Sequence, residues 1–182
     1  MATQTLTKTK WNLDPTHSEI GFKVKHMMIT NVSGSFEKFD VNVEAEGDDF
    51  STATIVFEAD VRSISTGSAD RDKHLKSGDF FDADNYPGMK FVSTELVKKD
   101  AANFTLTGDL TIRDVTRPVT LDVEFGGIGK DPWGNEKAGF TLSGNINRTE
   151  FSLNWNAALE TGGVLVSDQV KLFGEVQLVK QA

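Results

Sequence analysis

Cysteine is absent from the sequence, which excludes disulfides, thiolate nucleophiles and Cys-ligated zinc or iron–sulfur centres. A basic surplus is missing too: 19 Lys and Arg stand against 27 Asp and Glu, for a net charge of −8. A surface of that average sign repels phosphate backbones, so nucleic-acid binding is not expected. It also lacks the polybasic attraction that draws proteins to anionic lipid, and its main effect is on solubility. No apolar run approaches the roughly 20 residues of a membrane-spanning helix, and MATQTLTKTKW lacks the apolar stretch of a secretion signal. Stable membrane insertion is therefore not expected. The expected location is the cytoplasm, or the periplasm where a leader has been removed. Tyrosine is nearly missing as well. One Tyr against thirteen Phe implies an aromatic interior with few polar handles.

What is present is alternation. With 182 residues, 38% of them hydrophobic, the chain suits a single domain over 11–182 behind a flexible segment at 1–10. Apolar residues recur at every second position, the period of strands with one apolar face. Ile20, Phe22, Val24 and His26 share one side of the first run, and Phe39, Val41 and Val43 share one side of the second. Ala53, Ile55, Phe57, Ala59 and Val61 follow, and a shorter run lies near Met89 to Val97. The second half repeats the pattern through Phe104 to Ile112, Val119 to Phe125, Ala138 to Ile146 and Val170 to Leu178. About eight or nine strands result.

Turn-forming residues separate them at Asn31 to Gly34, Glu46 to Asp49, Lys99 to Asn103 and Gly126 to Asn135. Asp114 falls between two strands, where its side chain tolerates a left-handed backbone. Such short connections imply antiparallel neighbours. Only TGSADRDKHLKSG at 66–78 breaks the rhythm, and it predicts a short helix. Ser68 is its expected N-cap, Asp70 and Asp72 suit the positive end of the dipole, Gly78 is the C′ residue and Leu75 turns inward. One-sided strands in this number must be covered by a second sheet or curled shut, so the pattern alone leaves a sandwich and a barrel open. It also leaves open whether the interior is packed solid or hollow.

The polar candidates for chemistry are few. His17 precedes a strand, His26 ends it and His74 lies on the predicted helix. Nine residues of extended chain separate His17 from His26 by roughly 30 Å, too far to share a metal. Bonds from these imidazoles to backbone or carboxylate are the expected role. Asp70 and His74 are four apart on the helix and could pair, which opens an acid–base reading. Arg71 could instead grip a carboxylate and dock the helix over a barrel mouth. Ser18 beside His17 points to the opposite face of its strand and is no nucleophile–base pair. Neither a nucleophile elbow nor a phosphate or dinucleotide fingerprint is present. DPWGN at 131–135 reads as a turn whose Trp133 either caps a barrel end or is exposed.

Several blocks, taken in order, resemble one family. WNLDPTHSEIGFKVKHM at 11–27, Val-Ser-Gly-Ser-Phe at 32–36 and STGSADRDKHLKSGDFFDADNYPGMKF at 65–91 are similar to the YceI-like, polyisoprenoid-binding family. LTGDLTIRDVTRPVTLDVEF at 106–125, Asn-Arg-Thr-Glu-Phe at 147–151 and Val-Ser-Asp-x-Val at 166–170 continue the match. Departures fall at Asp114 and Ser152, where the family commonly has Gly, and at Glu150, where it often has Asp. The resemblance implies an all-β, antiparallel, lipocalin-like barrel of about eight strands with one short helix near 66–78. It implies a bore that holds an isoprenoid or similar fatty-chain lipid for sequestration, transport or storage, without catalysis or cofactor, in a chain that pairs as a homodimer. Joined to the inward stripes, it marks Phe22, Val24, Phe39, Val41, Ile55, Phe57, Phe91, Leu110, Ile112, Leu121, Phe140, Leu142 and Leu172 as the expected ligand lining.

Overall fold

The alternating runs become strands of one continuous sheet in the computed structural model, which describes residues 8–160 and 162–181. The strands are β1 (Lys8–Leu13), β2 (Glu19–His26), β3 (Thr30–Phe36), β4 (Phe39–Glu46), β5 (Asp49–Asp60) and β6 (Ile64–Ser65). After helix α1 (Ala69–Lys76) come β7 (Gly88–Lys98), β8 (Asn103–Ile112), β9 (Val115–Lys130), β10 (Glu136–Asn147) and β11 (Val166–Lys180). All pairings are antiparallel, from β4 through β5, β7, β8, β9 and β10 to β11. β11 then pairs with β2 along its first part and with β1 along its last, and β1 returns to β4. The ring closes. β1 with β2 fills one place in it and β3 with β4 another, so the strands make an eight-stranded barrel. Closure decides against the sandwich.

The break between β1 and β2 is chemically specified. Asp14 caps a 3₁₀ turn at Pro15–His17, accepting from Thr16 N at 3.1 Å, from Thr16 Oγ1 at 2.7 Å and from the His17 ring at 2.9 Å. Its other partner is Lys137 Nζ on β10, at 2.5 Å. The Lys137 ammonium, helped by the Thr16 and His17 bonds, holds the buried Asp14 carboxyl well below the usual carboxylate range. A depressed folded-state pKa gives stability that is complete above the unfolded value of about 4 and is lost as pH falls toward the folded value. Asp14→Asn is expected to cost about 2 kcal/mol at pH 7. Its deficit against the parent should shrink as urea denaturation is repeated below about pH 4. A deficit that stays constant with pH would show that Asp14 acts as an uncharged cap.

Several local expectations are corrected. β1 starts at Lys8, where Lys8, Thr9 and Lys10 pair with Glu46, Ala45 and Glu44, so residues 8–10, expected to be flexible, are paired strand. Residues 1–7 lie outside the described residues. The β2–β3 turn is Met27–Ile29, and Asn31 to Gly34 belong to β3, because the strands pair back to His26 and Thr30. Gly126 to Lys130 likewise continue β9, leaving only 131–135 as the turn. The helix is shorter than 66–78 and ends on Ser77, whose N–H reaches His74 O, while Gly78 is not left-handed.

At the β8–β9 turn the left-handed residue is Arg113, at φ 56°, rather than Asp114. Its guanidinium stands 5.6 Å from the Tyr86 ring and bonds Phe80 O at 3.3 Å, contacts that fix it there. Ser152 is also left-handed, at φ 64°, closing the 3₁₀ turn at Arg148–Phe151. A Cβ there costs about 1–2 kcal/mol, partly offset by the greater unfolded-state freedom of glycine. Ser152→Gly should therefore gain about 0.5–1 kcal/mol, read as a higher urea midpoint. An unchanged midpoint would mean that Ser152 is unstrained.

Candidate functional site

The inward faces do not meet. They enclose a cavity of about 370 Å³ along the barrel axis, within the range typical of ligand pockets. One end is closed by aromatic rings. Phe50 lies 5.1 Å from Trp11, 5.3 Å from Phe125 and 5.0 Å from Phe140, and Phe125 stacks on Phe140 at 5.2 Å. Trp11 is wholly buried, and this plug forms the floor of the cavity. Trp133 stands 84% exposed on the β9–β10 turn and takes no part in the plug.

Every residue expected to line a bore does so except Phe39. The wall breaks at Glu37–Lys38, where β3 passes to β4, and Phe39 turns against Phe57 and an outer cleft with Pro15 and Ser18. The lining also includes residues outside the expected set. Phe104, Leu106, Val119 and Val123 share the inward phase of their strands, so that signal was available. Phe80, Phe81, Leu153 and Trp155 come from segments without strand periodicity and leave no such signal.

The room inside depends on small residues at inward positions. Gly34, Gly108, Gly144 and Gly174 occupy inward places in β3, β8, β10 and β11. A Cβ on Gly108 would stand 2.4 Å from Phe91 Cζ, so the Phe91 ring lies flat over bare backbone. A Cβ on Gly144 would stand 2.5 Å from Leu121 Cδ2 in the same manner. Large side chains thus fold down on the wall and leave the axis free.

The open end is framed by α1, the loop after the Arg148 turn and the β2–β3 hairpin. Leu75 of α1 lines the cavity, as do Arg71 and His74. Asp72 ties the helix down by accepting from Thr66 N at 2.9 Å and Thr66 Oγ1 at 2.5 Å. Arg71 grips no carboxylate among the described residues. It donates through Nε to Thr66 Oγ1 and through Nη2 to Thr66 O, each at 2.7 Å. Asp70 does not pair with His74. His74 Nε2 meets Asp79 at 2.9 Å, and the ring packs edge-on against Phe80 and Trp155, 4.7 Å from the latter. The set Asp70, Arg71 and His74 is therefore not assembled for proton transfer. His17 stands apart beside Asp14, and among the described residues no group of three His, Asp or Glu side chains could hold a metal ion.

A buried cation holds the mouth loop. Arg148, 3% exposed, donates to Ser167 O at 2.8 Å, Leu153 O at 2.5 Å, Trp155 O at 2.9 Å and Val166 O at 3.2 Å. Burial pulls its pKa below the ordinary value, opposed by the Asp168 carboxylate 3.9 Å away. Asn156 adds two bonds to Val166, so the loop is pinned at both ends. Apart from these few groups and from Lys25 and His26 at the rim, the lining is hydrocarbon and aromatic ring.

The comparisons with known proteins agree with this architecture. A UPF0312 protein of Staphylococcus aureus (strain USA300) is 42% identical over 164 residues, 90% of this chain and 93% of that protein. A YCEI protein of Campylobacter jejuni superposes with a TM-score of 0.76 at 32% identity, covering all of both chains. A polyisoprenoid binding domain from Saccharophagus degradans has the same fold, with a TM-score of 0.65 at 14% identity over 94% of this chain and 98% of that one. The model of the YceI-like domain matches residues 11–178, and the chain belongs to that family.

Proposed function

We propose that the protein holds the apolar chain of an isoprenoid or similar amphiphilic lipid in its bore, as a non-catalytic carrier or store. The observation that carries this reading is the continuous hydrocarbon-lined cavity, floored by stacked aromatics and open beside α1. Such a lining offers nothing to a polar substrate and favours a chain without polar groups along its length. Each methylene taken from water is worth about 0.8 kcal/mol, so ten supply roughly 8 kcal/mol before immobilisation is subtracted. The neighbour from Saccharophagus degradans, described as polyisoprenoid binding, supports the same class of ligand.

The reading is tested by mass spectrometry of organic extracts from freshly purified protein, with titration of the stripped protein by polyprenyl alcohols. A co-purifying lipid or micromolar uptake is the expected result. Repeated extracts without lipid, together with no uptake, would overturn it.

A further inference from the structure

The β2–β3 hairpin ends in a tip that the bore itself does not use. Met27, Met28 and Ile29 are 44%, 56% and 76% exposed, and Val164 on the adjoining loop is 39% exposed. Four apolar side chains gathered at one rim differ from the scattered exposed residues that every surface carries. The tip is joined to the mouth: Met27 N bonds Leu165 O at 2.8 Å, Met28 packs over Gly163, and the preceding Lys25 and His26 line the opening.

Two further features set this hairpin apart. Met27 and Met28 are both left-handed, at φ 52° and 62°, where Asn or Gly would be relaxed. The apolar side chains are kept at a conformational cost, which points to a use for them. Charge is also segregated. From Ile20 to Phe36 the chain carries Lys23, Lys25 and His26 and no carboxylate, in a protein of net charge −8. Lys171 lies beside Lys23 on β11, while Glu160 and Asp168 are the carboxylates of the adjoining segment.

We infer that the Met27–Ile29 tip is a membrane-docking element that dips into an anionic bilayer and sets the mouth of the bore against the lipid surface. An apolar tip flanked by lysines matches the two layers of such a surface, acyl chains below and charged head groups above. Docking there lets a chain pass between bilayer and bore without crossing water. The second step rests on the lipid-binding reading above, whereas the docking itself does not.

The test is flotation of the full protein with phosphatidylcholine vesicles, with and without phosphatidylglycerol, for the parent and for a Met28→Asn, Ile29→Ser variant. Asn suits the left-handed position, so the variant should keep or raise its thermal midpoint. The parent is expected to float with the anionic vesicles in a salt-sensitive way, and the variant to bind about tenfold less. Uptake of a soluble short prenyl alcohol without vesicles should be equal in both. A variant that floats like the parent, or a parent that floats with neither composition, would overturn the inference. So would sedimentation showing that the substitutions only split a dimer, since the tip would then be a self-association surface. A parent that floats yet takes up no prenyl alcohol would instead sink the bore reading and leave the docking intact.

Discussion

Arg148→Ala is expected to cost about 3–5 kcal/mol, a large part of the stability of a domain this size. The guanidinium serves four backbone carbonyls from the segment 153–167, all in or near the barrel wall. Truncation takes the guanidinium from Leu153 O, Trp155 O and Ser167 O in a place that water reaches poorly, while Val166 O keeps Asn156 Nδ2, and each unsatisfied group costs about 1–3 kcal/mol. Lysine cannot replace it. An ammonium concentrates its three donors at one point, whereas the planar fork reaches Leu153, Trp155, Val166 and Ser167 at once. Arg148→Lys should therefore recover less than half of the loss. Urea denaturation measures the cost, and hydrogen exchange of the 153–165 amides shows where the structure opens. Uniform exchange across the barrel in the variant, with no local excess in that loop, would refute the account of Arg148 as the pin of the mouth.

Gly108→Ala is expected to close the bore at its waist. The added Cβ would meet Phe91 Cζ at 2.4 Å and Val92 O at 2.6 Å. The carbonyl belongs to the paired strand and moves little, so the ring must lift off the wall into the cavity. Overpacking of this kind costs about 1–3 kcal/mol of stability. The displaced ring takes space from any bound chain, and affinity for polyprenyl alcohols should fall about tenfold, equivalent to about 1.4 kcal/mol. Gly129→Ala serves as the control, because a Cβ there meets nothing within 4 Å. Titration of both variants with the same alcohol checks the result. Equal affinities in folded proteins would remove Phe91 and Gly108 from the site.

The two variants act on different parts of one arrangement. Arg148 holds the rim that admits a ligand, and Gly108 keeps the axis free to receive it. Neither role was visible in the alternation. Gly108 interrupts the inward run Phe104, Leu106, Leu110 and Ile112 in correct phase, which reads as a gap in the stripe until the Phe91 ring is seen across it. Arg148 looks like an ordinary turn cation until four carbonyls converge on it.

The helix shows the same division. Ser68, Asp70 and Asp72 sit in the first turn as their types require, because capping is a matter of residues three or four apart. The partners of Arg71 and His74 could not be read in that way. Thr66 and Asp79 lie five residues away from them, and Trp155 is brought in by the Arg148 loop. The Met27–Ile29 tip was also hidden, since its turn carries no Gly or Asn and is set by the pairing of His26 with Thr30.

The sequence by itself determined which residues face inward, since strand period is a property of the backbone and needs no neighbour to express it. Phe22, Ile55, Phe57, Leu110, Leu121, Phe140 and Leu172 stand where that period puts them. Only the tertiary structure decided that those faces curve round a void. Closure depends on β11 meeting β1 more than 150 residues away in the chain, Leu13 opposite Leu178, and on which rings lie flat on glycine and which stand up as a floor. Those are choices between distant side chains competing for the same volume, and a local pattern contains no record of them.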